Sequence, residues 1–176
     1  MLVKFSCRCL AAAIILLCVA ACAGPSPESD GEEIAQKMYV DSRLGFAIEY
    51  PGNWQRIKRD QAENRVGWQS PRLENGLPVA MLRISAFPEE RPSNLEEAIE
   101  DHLKNTQMTV IEQEPFKLST AEVPSLFVST AQKEFWFLFA SGDGRWYLIE
   151  FSALPERFDS YLPLFEEVAG SFAVLP

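Results

Sequence analysis

The stretch FWFLFASGDGRWYLIEFSA, running from Phe135 to Ala153, decides the fold. In Phe135-Trp136-Phe137-Leu138-Phe139 both alternating faces are apolar, and Trp146 to Phe151 comes close to the same pattern. A strand at a solvated surface shows one polar face, so a strand that is greasy on both sides belongs in the middle of a sheet covered above and below. Gly142-Asp143-Gly144 between the two runs is hairpin-turn chemistry, because glycine and aspartate accept the positive φ that such turns require. The reading is a pair of central antiparallel strands over 135–141 and 146–153, with 123–130 as a third strand before them.

Outward from this hairpin the flanking elements follow. Residues 160–171 place Leu162, Phe165, Val168 and Ala169 on one stripe, with Pro163 suited to a first turn, and predict a closing helix. Upstream, 66–69 and 79–87 read as strands, the second stopped by Pro88. Phe46, Ile48 and Tyr50 alternate with Ala47 and Glu49, the period of a strand with one buried face, until Pro51-Gly52-Asn53 breaks it. Between these groups Ser93 or Asn94 caps a helix with Glu96 and Glu97 in its first turn, and Leu95, Ala98, Ile99 and Leu103 form its apolar stripe. The fold class is therefore α+β: an antiparallel sheet with helices on both faces, an α/β/α sandwich.

Composition supports one such core, since 47% of the 176 residues are apolar and 12 are Phe. All four cysteines, Cys7, Cys9, Cys18 and Cys22, lie in the first 22 residues, so the folded part carries no internal disulfide. His102 is the one histidine. With no thiol nearby in sequence, it supplies neither a zinc or copper ligand set nor a Cys-His nucleophile pair.

The N-terminus reads as an export signal. Lys4 and Arg8 precede an apolar run over 9–21, which is shorter than the ~20 residues needed to span a bilayer. Val19-Ala20-Ala21-Cys22 resembles the bacterial lipobox, in which cleavage between Ala21 and Cys22 follows lipid transfer to the cysteine sulfur. The alternative is an ordinary small-residue site cut before Gly24. Three acyl chains, at ~0.8 kcal/mol per buried methylene, anchor a protein firmly. Ala23, and not Asp, follows the cysteine, which resembles the default for outer-membrane delivery. Removing 1–21 takes away Lys4 and Arg8 and moves the formal charge from -9 to -11. So acidic a chain repels nucleic acid and anionic headgroups, so a lipid and not charge must hold it at a membrane.

The organisation expected is a lipoprotein signal peptide over 1–21, a lipidated N-terminus and flexible acidic linker over 22–40, and a single domain over 41–176. The linker, GPSPESDGEEIAQ at its centre, is rich in Pro, Ser, Gly and acid and has no apolar period. The location implied is exported and lipid-anchored, at an outer membrane and facing the periplasm.

Signatures of chemistry are sparse. There is no G-x-S-x-G, no G-x-x-x-x-G-K and no H-E-x-x-H. Asp143 between glycines could suggest a phosphate or metal loop, but a hairpin turn accounts for it. Asp30, Glu32 and Glu33 could hold calcium, although a solvated acidic spacer rarely does so specifically. His102, on the border of its helix stripe, reads as a surface or half-buried histidine. Glu150 shares a strand face with Trp146 and Leu148, so it is either a buried acid with a raised pKa or a carboxylate that is exposed or paired with an arginine. Neither a cofactor nor a metal is expected.

Two stretches resemble the PsbP-like family, which includes extrinsic subunits of photosystem II. The first is Leu44-Gly45-Phe46-Ala47-Ile48-Glu49-Tyr50-Pro51 with Trp54 three on; the second is 146–153 with Phe158-Asp159-Ser160-Tyr161 and Ser171-Phe172. The resemblance implies a PsbP-like fold, with Tyr50, Pro51 and Trp54 as a structural turn and aromatic packing motif. It further implies a binding or assembly role without chemistry, and hence a protein partner. The two functional expectations are thus a non-catalytic, lipid-anchored binding module and, as the alternative, an envelope hydrolase using carboxylates such as Glu150.

Overall fold

The computed structural model describes residues 34–58, 64–88 and 108–176, together with Glu97, Glu100 and Lys104. The hairpin that opens the sequence argument lies at the centre of the sheet. Strands β7 (Ala80–Pro88), β8 (Thr109–Lys117), β9 (Glu122–Ser129), β10 (Glu134–Gly142) and β11 (Arg145–Ala153) join β3 (Gln55–Arg56) and β4 (Arg65–Gln69) in a seven-stranded sheet. Its order is β3-β4-β7-β11-β10-β9-β8, and every pairing is antiparallel.

β10 is buried on both faces, as its doubly apolar pattern requires: Trp136 and Phe137 are 1% exposed, and Leu138 and Phe139 are fully covered. The turn after it holds Asp143 at φ 51° and Gly144 at φ 67°, the left-handed pair that closes a tight hairpin without splaying the strands.

One face of the sheet packs on the C-terminal helix (Phe158–Gly170) and on a three-stranded sheet of β1 (Gln36–Asp41), β2 (Phe46–Pro51) and β12 (Ala173–Val174), ordered β1-β2-β12. The core between them is aromatic. Trp136 stacks on Phe127 and Phe151 at 5.6 and 5.4 Å and meets the Phe116 edge at 4.7 Å. Phe151 in turn contacts Phe165 of the helix at 4.9 Å. Offset and edge-on ring pairs of this kind each add about 0.5–1.5 kcal/mol beyond burial.

Three sequence expectations are corrected here. The helix begins at Phe158 and not near residue 160, because the Arg157 carbonyl already accepts the Tyr161 N–H at 3.2 Å. Pro163 therefore lies inside the helix and not in its first turn, and Tyr161, more than Leu162, supplies the inward stripe. The folded part also starts earlier than residue 41, since β1 pairs with β2 from Gln36 onward. Its alternation was obscured because Met38 and Val40 on one face are apolar and exposed, while the other face carries an exposed Lys37 and a half-buried Asp41 beside Tyr39.

On the second face of the large sheet Leu126, Val128, Phe137, Phe139 and Leu148 form a separate buried cluster. Of the helix expected over 93–103, Glu97, Glu100 and Lys104 are helical, with Lys104 Nζ 3.0 Å from Glu100 one turn earlier. The remainder of that segment, the Leu95, Ala98, Ile99 and Leu103 stripe and His102 included, lies outside the described residues. The fold that is seen is a mostly antiparallel β-sheet with one helix of described extent, packed on one face.

A further pair, β5 (Leu73–Glu74) and β6 (Leu77–Pro78), is closed by Asn75 and Gly76, both at positive φ. Strand β8 forms the outer edge. Its ladder to β9 is interrupted between Val110 and Glu112, and Pro115 pairs with Pro124.

Candidate functional site

Ala21 and Cys22, the proposed cleavage and lipidation residues, lie outside the described residues, as do Asp30, Glu32 and Glu33. The Tyr50-Pro51-Trp54 segment is well placed. The Trp54 N–H donates to the Pro51 carbonyl at 2.9 Å, closing the turn that follows β2. Trp54 is 6% exposed and meets Tyr161 of the helix edge-on at 6.4 Å, while Tyr50 stacks on Trp68 at 4.9 Å. These side chains face inward and bind the turn to the core. They do not form an open pocket.

Next to them is a polar group on the small sheet. The Tyr39 hydroxyl donates to Asp41 Oδ2 and accepts from Arg56 Nη2, both at 2.9 Å, and the guanidinium lies 4.8 Å over the Tyr39 ring. Asp41 Oδ1 takes the backbone N–H groups of Arg43 and Leu44 at 3.1 and 2.9 Å. Burial pushes the Asp41 carboxyl up, but the Leu44 and Tyr39 hydrogen bonds outweigh it and hold the group below the ordinary aspartate value. Burial first, then Asp41, raises the Tyr39 phenol. Asp41 therefore works as the cap of the turn leading into β2.

Where this turn meets the large sheet, Tyr147 donates to the carbonyls of Leu44 and Gly45 at 3.0 and 3.1 Å. Gly45 stands at φ +77°, where any side chain is strained, and a Cβ there would also lie 3.1 Å from the Tyr147 hydroxyl.

The second sheet face brings together ionisable side chains from two neighbouring strands of the large sheet and from the turn before β10. Arg83 of β7 and Glu150 of β11 are directly opposite in register and form an ion pair at 3.0 Å. The side chains are 29% and 17% exposed, so the carboxylate is largely covered and paired with an arginine, the second of the two readings its sequence position allowed. One step along the same face Met81 stands opposite Ser152. Lys133, just before β10, reaches over to place its ammonium 2.9 Å from the Met81 thioether. Burial, and after it the charge of Arg83, pulls this lysine below its ordinary value, with Glu150 opposing.

Sequence reading singled out Glu150 but missed its partners. Arg83 could have been found as the one charge inside the apolar run 79–87, the counterpart of Glu150 inside 146–153. Lys133 carried no such signal, because it precedes its strand. Asp143 is confined to the hairpin turn.

At the end of β8 and β9 there is an open groove of about 510 Å³ lined by Gln113, Glu114, Pro115, Glu122, Val123 and Pro124. Among the described residues no cluster of His, Cys, Asp and Glu is suited to a metal ion, and no helix is long and apolar enough to cross a membrane.

No protein-family model matches the chain, and no curated protein matches it in sequence. Solved structures do match. The solution structure of cyanobacterial PsbP (CyanoP) from Synechocystis sp. PCC 6803 superposes with a TM-score of 0.60 at 17% identity, covering 86% of this chain and 99% of that one. The Saccharomyces cerevisiae Ran-binding protein Mog1p gives 0.58 at 13% identity, covering 81% and 97%. A protein of unknown function from Pseudomonas aeruginosa gives 0.54 at 12%, covering 80% and 98%. The strand order, the C-terminal helix on one face and these superpositions together make this chain a PsbP-like fold, shared with CyanoP and Mog1p.

Proposed function

We propose that this protein is a lipid-anchored component of a bacterial cell envelope that acts as a non-catalytic binding or assembly module. The observation that carries the non-catalytic reading is the Arg83–Glu150 pair. The sheet carboxylate that sequence offered as a catalytic acid is held in a 3.0 Å ion pair across the strands, the arrangement of a structural charge pair. Supporting it, the fold is one found in a protein described as Ran-binding and in a cyanobacterial PsbP.

The anchoring part rests on Val19-Ala20-Ala21-Cys22 and the acidic spacer behind it. In this reading 1–21 is removed, Cys22 carries acyl chains, and the domain faces the periplasm from the outer membrane. The buried cluster of Leu126, Phe137, Phe139 and Leu148 supports the expected cover of the second face.

The test is fractionation with capture. The wild-type chain, expressed in a lipoprotein-processing bacterium, is expected in the membrane fraction and to bring down a defined partner after mild solubilisation. Cys22→Ser is expected to release it from the membrane. A Cys22→Ser protein that fractionates like the parent removes the anchor, and the absence of any stoichiometric partner removes the binding role.

A further inference from the structure

The β5–β6 hairpin carries two large apolar side chains at the surface, Leu73 at 56% and Leu77 at 54% exposure. Leu73 stands opposite Pro78 and Leu77 opposite Glu74, so the two leucines lie on opposite faces of the ribbon, either side of the Asn75-Gly76 turn. The base of the hairpin is fixed to the body. Arg157, just before the C-terminal helix, places Nη2 2.8 Å and Nε 3.0 Å from Glu74 Oε1, and Arg72 Nη2 reaches the same oxygen at 3.1 Å. The Val79 N–H donates to the Arg72 carbonyl at 3.1 Å and closes the root. The tip is thus held out with its leucines uncovered, and its one carboxylate is offset by two guanidiniums.

Register places this hairpin at the end of the molecule where the folded chain begins. Gln36 pairs with Pro51, and the Gly52 N–H donates to the Ala35 carbonyl at 3.0 Å. Gln55 then pairs with Gln69, the last residue of β4, from which the chain runs into the hairpin. The Asp143-Gly144 turn lies at the other end of the nine-residue strands β10 and β11, about 30 Å away. Cys22 precedes Ala35 by 13 residues, a separation that a Gly- and Ser-rich chain spans with an r.m.s. reach of about 20 Å. A lipid on Cys22 would therefore hold the hairpin end near the bilayer and leave the Asp143 end away from it.

We propose that Leu73 and Leu77 form a membrane-contacting foot that enters the boundary between the headgroups and acyl chains of the bilayer carrying the anchor. This rests on the lipid-anchor reading above and adds to it a fixed orientation of the domain. A ribbon that is apolar on both faces of its tip suits a fluid that can surround it, whereas a flat protein surface would cover one leucine and leave the other in water. Because Arg72 and Arg157 offset Glu74, the hairpin brings no net negative charge to the headgroups.

The test uses the ²H,¹⁵N-labelled chain from Cys22 onward, which contains every described residue and has Cys22 as its one thiol, joined through that thiol to maleimide headgroups in phosphatidylcholine nanodiscs. A gadolinium chelate on a second headgroup erases the signals of amides close to the membrane. The Leu73–Leu77 signals are expected to be lost before those of Gln36–Met38 at the root of the tether, while those of Asp143–Arg145 remain. With Leu73→Ser and Leu77→Ser together, both at exposed sites, the order is expected to reverse and the tether root to fade first. A parent in which the tether root fades first, loss spread evenly over the domain, or an order unchanged in the double variant each overturn the assignment. Hairpin signals that fade with rising protein concentration in the absence of nanodiscs give the leucines to a second copy of the chain and overturn it as well. Chemical coupling replaces the biological lipid, so failure of the foot is distinct from failure of the anchor, which the fractionation of Cys22→Ser decides.

Discussion

Replacing Tyr147 by phenylalanine tests how the two sheets are joined. The hydroxyl sits on a fully buried side chain and serves two carbonyls of the turn before β2, Leu44 at 3.0 Å and Gly45 at 3.1 Å. Phenylalanine preserves the ring contacts to Phe46 and Phe172, at 6.2 and 5.5 Å, so only the polar link is lost. The Gly45 carbonyl keeps the Leu175 N–H at 2.9 Å, whereas the Leu44 carbonyl loses its hydroxyl donor. One buried acceptor stripped of its partner costs about 1–2 kcal/mol. At about 3 °C per kcal/mol for a domain of this size, Tyr147→Phe should melt about 3–6 °C below the parent by calorimetry. Amide exchange should quicken first in β1, β2 and β12, since the small sheet loses a tie to the large one. Burial raises the Tyr147 phenol, so its contribution is complete below the ordinary tyrosine value and disappears as pH rises through the folded one. The two proteins should therefore converge in strongly alkaline buffer. A variant with the parent's melting temperature and exchange pattern at neutral pH would refute the idea that this hydroxyl couples the sheets.

Three other outcomes follow from the same contacts. Arg83→Met and Glu150→Gln, measured singly and together by denaturant unfolding, should show a coupling of about 1 kcal/mol, and additive effects would mean that the pair stores no interaction energy. Lys133→Met should be more stable than the parent at neutral pH. A depressed lysine costs stability while charged, and this cost is relieved as pH climbs from its lowered folded value to the ordinary one, so the gain should shrink over that interval; a gain independent of pH contradicts the burial of the charge. Asp41→Asn should destabilise at neutral pH and match the parent once the pH falls through the lowered folded value of Asp41, because the depressed carboxyl contributes only above that point; acid unfolding curves that remain parallel would exclude it.

The central hairpin was legible because its composition left no alternative: five consecutive large apolar residues, Phe135 to Phe139, can be satisfied only by cover on both sides. β2 was legible from its strict alternation. β1 was not, because exposed Met38 and Val40 invert the rule that apolar residues face inward, and its register comes from pairing with a strand ten residues later. The β5–β6 hairpin had a readable signal in Asn75-Gly76, but strands of two residues give no period to detect. At the site, Glu150 stood out as a charge among apolar neighbours. What it does there depended on Arg83, 67 residues earlier, and that pairing is fixed by sheet register and not by local pattern. The closing helix was found with its start displaced, since Arg157 contributes a backbone cap that no side chain announces.

Strand β8 has a consequence for crowded solution. Its Ile111 and Val110 are 60% and 42% exposed at the end of a seven-stranded ladder, the setting in which one molecule can template the next. The irregularity between Val110 and Glu112 breaks the spacing a second molecule would need, Pro115 lacks the N–H that a docking strand would accept, and Glu112 and Glu114 would meet their own copies as like charges. The sheet is thereby terminated by its own last strand, and molecules packed side by side can stay separate without a covering subunit.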